Sequence, residues 1–203
     1  MYKKNVNSEG ATLSADTIHK ILTILENGSM NEAVRMNLSE KKKVKDLFLV
    51  VIRAIDIDQN RAVVSSLIQF ASNLCYGTGK FRRLLISAEA PADFIGTLSN
   101  ILTSVQKPLD LAAALLTGEE SKTNSMVSDE GKRVLLKGTT LNFIGNLCVE
   151  TQLRQLISQD IGGLLTQVYS MFEEDVTKKP FDWIDSASRE LQTLANCSIE
   201  TAA

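Results

Sequence analysis

Two stretches of the chain 73 residues apart are nearly the same: Phe70-Ala-Ser-Asn-Leu-Cys-Tyr-Gly-Thr78 and Phe143-Ile-Gly-Asn-Leu-Cys-Val-Glu-Thr151. A weaker third copy, Thr193-Leu-Ala-Asn-Cys-Ser-Ile-Glu-Thr201, follows 50 residues later. What comes after each stretch also matches. Lys80-Phe-Arg-Arg-Leu-Leu-Ile86 corresponds to Gln152-Leu-Arg-Gln-Leu-Ile157, and each leads into an apolar run, Phe94 to Leu102 and Leu164 to Phe172. A short unit of this kind cannot bury its apolar face alone, so neighbouring copies must cover it. The recurrence favours stacked units over one closed bundle.

Apolar residues recur at spacings of three and four, the period of an amphipathic helix, and only three prolines interrupt 203 residues. The chain reads as all-α. Helices are predicted over Thr17 to Glu26, Ser39 to Ile55 with Ser39 as N-cap, Arg61 to Tyr76, Phe81 to Ser87, Pro91 to Val105 and Pro108 to Leu116. Further helices are predicted over Lys132 to Val149, Leu153 to Ser158, Gly162 to Glu174, and Phe181 to Ile199, the last anchored by Trp183. Between Gly118 and Gly131 the chain is polar and bounded by glycine, which predicts a surface loop inserted between helices. Ser121, Thr123, Ser125 and Ser128 in that segment are available phosphate acceptors. Residues 1–203 are expected to form one domain.

Ala71-Ser72-Asn73-Leu74 and Ile144-Gly145-Asn146-Leu147, each followed by a short segment with a basic residue (Arg82 or Arg83, and Arg154), carry a family resemblance. The pattern resembles armadillo repeats, whose third helix ends in such an Asn-Leu signature. The Gly-Gly-Ile-Pro element of that motif is kept in part in Ile161-Gly162-Gly163-Leu164 and blurred in Ala88-Glu-Ala-Pro-Ala92. The resemblance covers the chain from about Ser39 onward. It implies a right-handed α-solenoid of about four divergent armadillo- or HEAT-like units, whose usual period is about forty residues. Within that superfamily the sequence is most similar to the small-GTPase dissociation stimulators and the armadillo-containing ataxin type. The last signature lies near Ala203 with no polar capping helix after it, so the expectation is an N-terminal part of a longer solenoid, the alternative being a small natural protein whose end is capped by a partner; either leaves oligomerisation through the open C-terminal end available.

One turn before Asn73, Asn146 and Asn196 stand Gln69, Asn142 and Gln192, so each repeat carries an amide pair at i and i+4 on one helix face. Stacked repeats align these pairs as a ladder. Amides donate and accept together, so a ladder can hold an extended peptide backbone, the role that the resemblance implies most directly for Asn73 and Asn146. The alternative is an internal ladder that joins neighbouring helices. Arg82, Arg83 and Arg154 either form a basic strip for an acidic partner or cap carbonyls at helix ends. Lys41-Lys42-Lys43-Val44-Lys45 reads as a solvated helix face, with a nuclear-import signal as the alternative.

The rest of the composition narrows function by exclusion. A single histidine, His19, leaves little with which to build a metal centre or a Ser-His-Asp type of site. A net charge of −2 argues against nucleic acid as the partner. Gly77-Thr-Gly-Lys80 has Leu74 and Phe81 where a phosphate loop needs glycine and a hydroxyl, and Asp56-Ile-Asp58-Gln-Asn60 lacks the glycine and glutamate of a calcium loop. The clusters Glu173-Glu174-Asp175 and Asp182 with Asp185 read as solvated surface. Cys75, Cys148 and Cys197 read as reduced, buried thiols, and Met1-Tyr2-Lys3-Lys4 leads into polar residues, so a cytoplasmic or also nuclear location without a membrane span is expected. An enzyme would require Glu130 or another carboxylate buried in a cleft beside a partner residue. The expected function is therefore a non-enzymatic scaffold, without cofactor or metal. It binds a protein along its concave face, either a small GTPase or an extended peptide.

Overall fold

The computed structural model describes residues 14–77, 79–87, 91–106, 120–159, 163–178, 190 and 192–196. These residues are helical, with no strand among them. The helices are α1 (Ala15–Ser29), α2 (Glu32–Ser39), α3 (Lys42–Ala54), α4 (Arg61–Cys75), α5 (Lys80–Ile86), α6 (Pro91–Gln106), α7 (Glu120–Leu147), α8 (Thr151–Gln159) and α9 (Leu164–Lys178). A last helical stretch lies at 192–196. The helices predicted over Pro108 to Leu116 and most of Phe181 to Ile199, with Trp183, lie outside the described residues.

Local chemistry explains the boundaries. Ser14 caps α1 by accepting from the Thr17 amide at 3.2 Å. Asn31 caps α2 by accepting from the Ala33 and Val34 amides at 3.1 and 3.3 Å. That cap overturns the reading of Ser39 as the start of the next helix. Ser39 ends α2, its hydroxyl donating back to the Met36 carbonyl at 2.9 Å, and α3 begins after Lys41 with no side-chain cap. Asp56 holds the turn before α4 by accepting from the Gln59 amide at 3.2 Å. Gly77 and Gly79 link α4 to α5 at φ values of 91° and 65°, where a side chain would strain the backbone.

The predicted loop between Gly118 and Gly131 is corrected: residues 120–131 are the first turns of α7, a helix of 28 residues. Gly131 faces open space, so it costs only the modest propensity of a helical glycine. Pairs one turn apart offset it, Lys132 with Asp129 at 2.9 Å and Arg133 with Glu130 at 2.7 Å. Arg133 also donates to the Val105 carbonyl at the end of α6, which ties this polar half of α7 to the fold.

Packing follows a three-helix rhythm. The long helices lie side by side, α1 on α4 and α4 on α7; α3 lies on α6 and α6 on α9; the short α5 lies on α8. Because α4 is enclosed by both α1 and α7, it is buried almost all round, and small residues fill its close contacts: Ser65, Ser66, Ala71 and Ser72. At the centre, Phe48 of α3 meets Phe81, Phe94 and Phe143 edge to face, with ring centroids 6.2, 5.8 and 5.9 Å away. Four helices thus converge on one ring that is 1% exposed. Phe48→Ala is expected to lower the unfolding free energy by about 3–5 kcal/mol, and Phe48→Leu by clearly less, read from urea denaturation.

Candidate binding groove

The packing of α4 against α7, with the stretch 192–196 beside them, opens a groove of about 280 Å³. All six amide residues of the repeat line it: Gln69, Asn73, Asn142, Asn146, Gln192 and Asn196. Each pair sits at i and i+4, so both members face the same side of their helix. Leu141, Gly145, Ser72 and Thr193 form its buried base, and Tyr76 stands exposed at its rim, with the Arg35 guanidinium 5.4 Å from the ring centre. No lining residue carries a formal charge.

Two of the six amides join helices. Asn73 Nδ2 donates to Ser29 Oγ of α1 at 3.0 Å, while its Oδ1 accepts from Gln69 Nε2 at 3.0 Å. Asn146 Nδ2 repeats the first bond one unit later, donating to Ser72 Oγ of α4 at 2.8 Å. The other amides differ. Asn142 and Gln192 are exposed and make no side-chain hydrogen bond among the described residues, so their donors and acceptors point to a ligand or to water. Internal bridge and open ladder are therefore both present, on different residues.

The third repeat lacks one half of its bridge. A Cβ built on Gly145, the counterpart of Ser72, would lie 3.5 Å from Asn196 Nδ2 and 3.9 Å from Thr193 Oγ1, ordinary contact distances. Gly145→Ser is expected to supply the missing hydroxyl to Asn196 and remove a helical glycine. It should raise stability by about 1 kcal/mol and Tm by about 2–4 °C, with the gain reduced in a background of Asn196→Ala.

The basic strip does not form as one surface. Arg82 is buried and donates to the Cys75 carbonyl, closing the end of α4, which is the capping alternative. A chain turning back at Gly79 places this guanidinium beneath the helix it has just left; a Cβ on Gly79 would come within 3.0 Å of it. Arg83 is exposed and Arg154 half-buried, its guanidinium 3.4 Å from Thr151 Oγ1. Lys41, Lys42 and Lys43 are solvated, whereas Lys45 is buried beside Asp46 at 2.9 Å. Lys80 pairs with Glu40 and Asp58 with Arg61 and Ser104, so both look-alike motifs serve the fold.

Sequence reasoning missed one cluster. Asp175, read as solvated surface, pairs at 2.7 Å with Lys137, which also pairs with the fully buried Glu190. The three residues lie far apart in the chain and no motif joins them; only packing of α7 and α9 with residue 190 brings them together. Glu130, the carboxylate singled out for an enzyme, is bound to Arg133. A larger groove of about 500 Å³ is lined by Asp16, His19, Arg61 and Asp129, but its acids are paired with cations on their own helices or turns. Among the described residues no cluster of His, Cys, Asp or Glu is placed to hold a metal ion, and no helix is long and apolar enough to cross a membrane.

The expectation of three reduced thiols is also corrected, since Cys148 is disulfide-bonded. Separation along the chain says nothing about which helix ends packing brings together. Cys197 lies outside the described residues. Cys75 is free and wholly buried, and burial pushes its thiol up to about 12, with Arg82 opposing weakly. Above the ordinary thiol value near 9 the unfolded chain loses a proton that the folded chain retains, so this contribution to stability falls as pH rises from there toward 12. Cys75 should resist iodoacetamide at pH ~8 in the native protein and react on unfolding. Cys75→Ala should flatten the alkaline fall in stability seen by urea titration.

No protein family, curated protein or solved structure matches the chain.

Proposed function

We propose that the protein is a non-enzymatic binding module, an armadillo-like α-solenoid that holds an extended polypeptide segment in the amide groove. The observation that carries this reading is the convergence of Gln69, Asn73, Asn142, Asn146, Gln192 and Asn196 on one groove, with Asn142 and Gln192 open to it. A planar amide matches the donor and acceptor of a peptide unit, and residues spaced along stacked helices meet successive units of an extended chain. The succession of long helix on long helix, with shorter helices in matching rows, supports the solenoid. Regulation or chaperoning of a small GTPase is the narrower reading, and the resemblance alone supports it. The cytoplasmic location expected from reduced thiols loses that support with the disulfide at Cys148.

The uncharged lining makes a specific demand on the ligand: recognition through its backbone and polar side chains, not through ion pairs. Peptides selected from a displayed random library against the protein should bind about tenfold more weakly to Asn142→Ala with Gln192→Ala. That variant should keep its Tm, because neither side chain is bonded internally. Asn73→Ala should instead lose about 1 kcal/mol of stability along with affinity. Binding should change little between about 0.05 and about 0.5 M salt. Equal binding by the double variant, or a steep salt dependence, would remove the groove from the function.

A further inference from the structure

Amides read a peptide backbone and leave its side chains unselected, so a preference among ligands must come from another residue of the groove. Tyr76 is the one aromatic among its described lining residues. It is 65% exposed, and its counterpart one repeat later, Val149, is exposed as well. Stacking of the helices therefore does not call for a ring at this place. The backbone that carries the ring is fixed: the Tyr76 amide donates to the Asn73 carbonyl at 3.1 Å, and the chain leaves through Gly77 at a φ of 91°. The ring is held from one side, where the Arg35 guanidinium of α2 lies 5.4 Å from its centre. Arg35 has no ion pair among the described residues and its Nε is buried without a hydrogen-bond partner, which leaves the ring as the partner of this cation. Arg35 stands outside the groove lining, so one face of the ring meets the cation and the other is left to the groove.

A cation on one face draws the π-density of a ring toward itself and leaves the opposite face poorer in it. That second face repels another cation and gives little to the polarised C–H groups of a proline. It favours the electron-rich face of an aromatic ring stacked in offset. We infer that Tyr76 determines the specificity of the groove: it takes an aromatic side chain of the bound segment, stacked on the ring face away from Arg35, and turns away lysine and arginine there. This assignment rests on the reading of the amide groove as the peptide site. The amides hold any extended backbone, and Tyr76 chooses among sequences.

A displayed random peptide library, selected in parallel against wild type, Tyr76→Ala, Tyr76→Phe and Arg35→Met, reads this choice through sequencing of the bound pools. In the wild-type pool one position should be enriched in Trp, Tyr or Phe and depleted of Lys and Arg. Tyr76→Phe should keep both features. Tyr76→Ala should lose the enrichment and bind a selected aromatic peptide about tenfold more weakly, with its Tm close to that of wild type because the side chain is exposed. Arg35→Met should readmit Lys and Arg at that position, a change that a merely structural role would not produce. The wild-type pool decides alone should Tyr76→Ala lose its fold. A wild-type pool without aromatic enrichment, equal binding by Tyr76→Ala, or continued exclusion of Lys and Arg by Arg35→Met overturns the assignment. Where Asn142→Ala with Gln192→Ala still weakens the same peptides, the groove stands without it; a library from which nothing binds removes both.

Discussion

The edge-to-face packing around Phe48 fixes the relation between the rows of helices, and the groove depends on it. Phe48 gathers Phe81 from α5, Phe94 from α6 and Phe143 from α7, and Phe94 meets Phe143 with ring centroids 5.9 Å apart. Each such pair adds about 0.5–1.5 kcal/mol beyond area burial. Its geometric effect reaches further. Phe143 turned toward the cluster places its neighbour Asn142 about 100° round the same helix, on the groove side. The core thereby aims the amides of α7 at the groove.

Within the groove the division of labour among amides follows from burial. Ser72 is buried between α4 and α7, and its hydroxyl must find a partner there, which Asn146 provides. Asn73 likewise donates to Ser29, buried beside α4, whose hydroxyl also donates to the Glu26 carbonyl at 2.6 Å. These bonds make the register between long helices specific, because sliding by one residue would break both of them. Asn142 and Gln192 lie one turn earlier, where the surface opens, and carry no such duty. Because Asn142 and Asn146 share one helix, the bond that fixes Asn146 also fixes the place of the open amide one turn before it.

The helical class, most helix spans and the alignment of the six amides were legible because period and repetition are local properties of a chain. The errors have a common physical origin. Ser39 was a plausible cap on its own, but Asn31 is capping a helix whose apolar pattern is weak, since α2 is short and half exposed. The polar segment before Gly131 looked like a loop because it has no apolar stripe. It is helical through pairs one turn apart and through Arg133 on the end of α6. The correspondence of α1 with α4 and α7 has no signature in the sequence. Met30 stands where its successors have asparagine, and only the bond from Asn73 to Ser29 reveals the correspondence.

The buried cations explain why amides, and not charges, line the groove. Arg82 closes α4 at the Cys75 carbonyl, Arg133 closes α6 at the Val105 carbonyl, and Lys137 is held between Asp175 and Glu190. Each of these side chains satisfies a group that packing removes from water: a helix-end carbonyl, or a carboxylate. In a fold of short helices there are many such ends for its length, and the repeat supplies a basic residue near several of them. Positive charge spent on helix ends is withdrawn from the solvent-facing surface. What the groove offers are neutral groups that can donate and accept at once, the pair of functions a peptide backbone also carries.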